Sequence, residues 1–166
     1  KKALYKYGWT QFKQSRYLDA LASYTRLLDV NQEEQNVQEI GFNPELSRAD
    51  LELLEDVVRV VSLAFSYQDE KYYISKYFKE NGKRAYEPLL YLRLGELYLG
   101  KKRIIDGSDL FLAYTKEYPY SSHTPYFHQR AIETFQQAGY SDLVLEEKIA
   151  FVDRYDVNSE YWATQE

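Results

Sequence analysis

A pattern that returns along the chain constrains its fold more than any other feature. Its clearest copy reads Tyr91-x-x-Leu94-Gly95-x-x-Tyr98, then Gly107-x-x-x-Phe111, then Pro119. A looser copy opens the chain as Leu4, Tyr7-Gly8, Tyr17 and Ala20-x-x-x-Tyr24. Recurrence of this kind marks a repeated unit that cannot bury its apolar face alone and must stack on a neighbour.

The outline resembles that of the tetratricopeptide repeat (TPR) family, and sliding it along the sequence then implies an all-α chain of four antiparallel helix pairs, over residues 1–30, 47–81, 87–119 and 125–156. The small residue expected at each helix crossing is Gly8, Ser62 and Gly95, with Ile132 in its place in the fourth unit. These positions lie 54, 33 and 37 residues apart. The wide first spacing places an insertion at 31–46, polar and holding Gly41 and Pro44. It is read either as a tolerated surface loop or as a segment folding over a groove as a lid. Ser47 and Asp50 then predict a capped helix start. Leu51, Leu54, Val58, Val61 and Phe65 give the following helix, through Ser66, an apolar stripe at 3–4 spacing.

Further signals divide the rest. A helix is predicted over Asp69–Lys79, pairing Ile74 with Phe78 and stopped by Glu80-Asn81-Gly82. Pro125 suits the first turn of its helix. Ala138-Gly139-Tyr140 reads as a turn, with Ser141 or Asp142 capping Leu143–Arg154. Trp162, in Ser159-Glu160-Tyr161-Trp162, sits where a fifth repeat, 159–166, would begin. Both ends therefore read as cut from a longer array, with Lys1 a boundary inside a larger protein. An uncapped C-terminal face is expected to include Phe151 and Tyr155. Tyr161 and Trp162 should either fold back over it or reach another copy, so end-to-end self-contacts are expected.

Composition sets the class. Hydrophobic residues make up 45% and charged residues 28%, a balance suited to a folded core. Eighteen Tyr, eight Phe and two Trp are unusual and read mainly as inter-helix filling. The net charge of −5 comes from interspersed signs and leaves no basic footprint for nucleic acid. Cysteine is absent, which removes disulfides, thiolate catalysis and Cys-ligated zinc. No stretch is long and apolar enough for a transmembrane helix.

With these motifs the chain resembles the tetratricopeptide repeat (TPR) family over nearly its whole length. The resemblance implies a right-handed TPR-like solenoid, here a fragment of a longer array and one domain over 1–166. Its function would be that of a non-enzymatic scaffold or adaptor holding a protein or peptide segment in a concave groove. Carried onto this sequence, the groove positions are Tyr5, Trp9, Phe12 and Lys13, then Asp56, Arg59, Leu63 and Tyr67. Leu92, Glu96 and Leu99 follow, and then Gln129 and Glu133. Tyr5, Trp9 and Phe12 also share one helical face by spacing alone. They are either an exposed anchor patch or covered core. The link Tyr114-Thr-Lys-Glu-Tyr-Pro-Tyr-Ser-Ser-His-Thr-Pro-Tyr-Phe is similar to that of bacterial envelope TPR proteins. That likeness implies a periplasmic or outer-membrane-associated adaptor, although Pro125-Tyr126-Phe127 stands where small residues are usual. Glycan or peptidoglycan binding, and a purely architectural role, are the alternatives.

Catalytic patterns are missing. His123 and His128 straddle a proline and lack further ligands for a metal. Glu52, Glu55 and Asp56 read as the wet face of a helix rather than a paired-carboxylate cleft. There is no phosphate loop, nucleophile elbow or H-E-x-x-H, and no cofactor is expected. Lys101-Lys102-Arg103 reads as a solvated turn or as a dock for an acidic partner.

Overall fold

The computed structural model describes residues 1–165. Every regular element among them is helical: α1 Lys2–Lys13, α2 Tyr17–Glu33, α3 Arg48–Ser66, α4 Tyr73–Asn81, α5 Glu87–Gly100, α6 Ile104–Glu117, α7 Thr124–Ala138, α8 Ser141–Tyr155 and the single turn α9 Glu160–Ala163. The all-α expectation holds. The chain forms two compact units, one spanning Lys1–Leu94 and the other beginning at Gly95, inside α5.

One crossing rule recurs in both units. A Cβ placed on Gly8 would meet the Tyr24 ring at 2.6 Å, and one on Gly95 would overlap the Phe111 ring. In each case the aromatic lies sixteen residues on and is fully buried. Ser62 and Phe78 repeat the spacing, both buried. A small residue on the first helix thus lets a large ring from the second lie against its backbone. The fourth pair breaks the rule, with Ile132 at the small position and Lys148 at the aromatic one. Correspondingly, no residue of α8 is buried.

The turns repeat as closely. Ser15 and Lys102 both adopt left-handed backbone, φ 60° and 58°. The next amide then bonds back across the helix end, Arg16 to Gln11 O and Arg103 to Tyr98 O, each 2.9 Å. This satisfies carbonyls that a helix terminus leaves open. Arg16 then holds Asp19 at 2.8 Å, and Arg103 holds Asp106 at 2.8 Å. Gly139 and Tyr140 copy the backbone a third time, Tyr140 N–H to Phe135 O at 3.0 Å.

Several expectations need correction. The predicted stripe on α3 is buried at Leu54, Val58, Val61 and Phe65, but Leu51, in the first turn, is 38% exposed. Helix α4 begins at Tyr73 rather than Asp69, because Tyr72 takes left-handed backbone (φ 61°) and blocks any earlier start. Ser47 caps α3 as expected, accepting from Asp50 N–H at 3.1 Å. Ser141 and Asp142 do not cap α8: Tyr140 holds that place with no side-chain bond, leaving both inside the first turn.

The 31–46 segment is a packed excursion. Its first three residues complete α2. The buried Asn31 accepts the amides of Asn36 and Val37 on its carbonyl, at 2.8 and 3.2 Å, closing the loop. Val37 is buried and bridges to Phe42. The Glu39 carbonyl accepts the Leu89 amide at 2.9 Å, so the loop satisfies a first-turn N–H of α5.

Near the C-terminus, Tyr161 is buried on Tyr155 and donates its hydroxyl to Ser121 O at 3.1 Å. Tyr161 thus folds back over Tyr155, while Trp162 stays 47% exposed. Phe151 and Tyr155, expected on an open face, are half-buried against His128 and Tyr161. Residue 166, last of the expected fifth repeat, lies outside the described residues.

Candidate functional site

Helices α1 and α3 lie side by side and run the same way: Tyr5, near the start of α1, reaches Asp56 in the middle of α3, and Phe12, near the end of α1, reaches Tyr67 just past the end of α3. The reason is local. Positions 5, 9 and 12 share one face of α1, while Gly8, on the adjoining flank, is the point where α2 closes in. The aromatic face is left at the margin of the core, and Tyr5, Trp9 and Phe12 are all half-buried. Neither of the two readings of this face holds in full.

The Tyr5 hydroxyl donates to Asp56 Oδ2 at 2.6 Å. Asp56 Oδ1 accepts from Arg59 Nε at 3.1 Å and Nη2 at 2.5 Å. The hydrogen bond to Asp56, helped by burial, raises the Tyr5 pKa above its ordinary 10.0, so the phenol stays protonated. From below, the buried Tyr24 ring stacks on Tyr5 at 6.1 Å and bonds its carbonyl at 3.3 Å. This end of the seam is fixed by polar contacts.

The other end is a cluster of rings. Trp9 and Phe12 lie near-parallel at 5.9 Å, and Phe12 and Tyr67 at 6.3 Å. Tyr17, the first residue of α2, packs on Phe12 at 5.5 Å and Tyr67 at 5.0 Å. Lys13 sets its ammonium 5.0 Å above the Trp9 ring, a cation–π contact. Tyr67 is 47% exposed. Leu63, one turn earlier on α3, is half-buried. The result is a partly open aromatic surface with Lys13 and Arg59, both exposed, at its edge.

Eight of the expected positions, Tyr5, Trp9, Phe12, Lys13, Asp56, Arg59, Leu63 and Tyr67, therefore lie along α1 and α3 in the first unit. Tyr17 joins them; its signal in the sequence is its place five residues past Phe12, across a tight turn. Leu92 is buried and serves packing. In the second unit Glu96 lies 3.8 Å from Arg130, and Gln129 donates to Glu133 at 2.9 Å along α7. Leu99 lies over Gly107, where an added Cβ would meet its Cδ2 at 2.7 Å. It packs at the α5–α6 crossing and is half-buried.

His128 is the other polar centre the sequence did not resolve. It is fully buried, with Nε2 2.7 Å from Glu147 Oε2 and its Nδ1 without a partner. Burial pushes its pKa below 6.5, against the opposing pull of Glu147. Among the described residues no three His, Cys, Asp or Glu side chains gather as a metal site, and no helix is long and apolar enough to cross a membrane.

No family model, no curated protein and no solved structure matches this chain.

Proposed function

We propose that the chain is a helical repeat protein of the tetratricopeptide type that binds a segment of another protein on the α1–α3 surface, without catalysis. The observation that carries this reading is the half-open cluster of Trp9, Phe12, Tyr17 and Tyr67 with Lys13 and Arg59 beside it. Rings held rigidly by one another present apolar area at little entropic cost. Aromatic side chains and Arg dominate binding hot spots for that reason. The repeated crossings and turns support the repeat assignment. The link Tyr118-Pro119-Tyr120-Ser121 favours a place in the bacterial cell envelope.

Glycan binding is a second reading, favoured by the near-parallel Trp9, Phe12 and Tyr67 rings and the exposed edge of Tyr67. The two separate on charge. Partners recovered with the wild-type chain should be re-tested against Arg59→Ala and Lys13→Ala. A protein segment reading these cations weakens several-fold; a neutral glycan is unaffected. A partner that binds Trp9→Ala and Tyr67→Ala as well as wild type would refute the placement.

A further inference from the structure

Helix α8 exposes Leu145, Ile149 and Val152 at 63%, 55% and 64%, in one line along its outer face. Ile132 and Lys148 stand where the other pairs set a small residue against an aromatic, and no residue of α8 is buried. Its inner side is already engaged, through Glu147, Phe151 and Tyr155 against His128. We propose that this outer face is a self-association surface, on which two copies of the chain pair through α8, parallel, about a twofold axis. The surface lies in the second unit and is independent of the α1–α3 reading.

The second copy is indicated by the order of residues. Leu145, Ile149 and Val152, spaced four then three, take the d, a and d places of a heptad. Ile149 at a with Leu145 at d suits a parallel two-stranded pair; Val152 holds the other d place. Glu146 and Asp153 flank the stripe on one side, Ser141 and Lys148 on the other, all exposed and without an ion pair among the described residues. In a parallel pair Lys148 falls opposite the partner's Asp153, twice by symmetry, and Ser141 opposite the partner's Glu146. An antiparallel pair would set Glu146 against the partner's Asp153, like against like. Asp142, at the remaining a place in the first turn, meets its own copy, so its charge opposes the pairing.

Sedimentation equilibrium of the chain at submillimolar concentration tests this. The expected result is twice the 19.8 kDa chain mass, with Ile149→Asp weakening the pair about tenfold or more at unchanged helical circular dichroism. Lys148→Glu should weaken it, adding Asp153→Lys should restore it, and Asp142→Asn should tighten it. The chain has no cysteine, so Val152→Cys alone should oxidise to a cross-linked dimer. In an antiparallel pair a places meet d places, so Val152→Cys would instead link only to a copy carrying Ile149→Cys. A monomer at these concentrations, a dimer indifferent to Ile149→Asp, or cross-linking only in that mixture would overturn the proposal.

Discussion

The Tyr5 hydroxyl and the Asp56 carboxylate meet at 2.6 Å and tie the first helix to the third. With Arg59 on its other oxygen, Asp56 is held from both sides. The seam on which Trp9 and Phe12 stand is thereby fixed in position.

Tyr5→Phe should cost about 1 kcal/mol, the net value of one such bond, because Arg59 still compensates Asp56. Asp56→Ala should cost more, since it strands both partners. The alkaline limb carries a sign. The folded-state pKa of Tyr5 is raised, as are those of the buried Tyr24 and Tyr86. Their contribution is complete below pH 10 and is lost as pH rises through the raised values. The phenolate absorbance of these three tyrosines should therefore appear together with unfolding above that point.

Gly8→Ala and Gly95→Ala should each destabilise by about 1–3 kcal/mol, because the new methyl is driven into a buried ring. Gly100→Ala, with nothing within 4 Å of the added carbon, is the control and should be neutral or mildly stabilising. Denaturant midpoints decide.

These crossings are legible in the sequence because they are made by side chains at a fixed spacing, Gly8 with Tyr24 and Gly95 with Phe111, a spacing that the buried Ser62 and Phe78 repeat. Ile132 and Lys148 carry the same signal in reverse. The docking of 31–46 is not legible, since its bond from Leu89 to Glu39 O is backbone to backbone and leaves no mark on residue type. The late start of α4 depends on a left-handed Tyr72, which local preference disfavours. At the candidate site the α1 face can be read from periodicity, but its half-burial depends on how Tyr17 and Tyr67 arrive from other helices. Glu147 meets His128 across nineteen residues for the same kind of reason.

Ser15→Gly and Lys102→Gly should each stabilise the chain by up to about 1 kcal/mol. Both positions carry left-handed backbone that a Cβ penalises and Gly does not. Similar gains at the two sites would confirm that the turns are energetically equivalent as well as alike in shape.

Acid should weaken the second unit through His128. Its folded-state pKa lies below 6.5. Above pH 6.5 the imidazole is neutral in both states and costs nothing. As pH falls below that value the unfolded chain takes up a proton that the folded one resists, and stability declines. His128→Phe should flatten this decline between pH 6.5 and the folded-state value, whatever it does to stability at neutral pH.

The most direct test uses Trp9, which becomes the sole tryptophan in a Trp162→Phe background. Titrating the recovered partner segment should shift and saturate its fluorescence. In the parent background Trp9→Ala should abolish binding while lowering stability by less than the roughly 3–5 kcal/mol expected of a fully buried ring. A partner that binds Trp9→Ala with unchanged affinity, or leaves Trp9 fluorescence untouched at saturation, would contradict the assignment of the α1–α3 surface as the binding site.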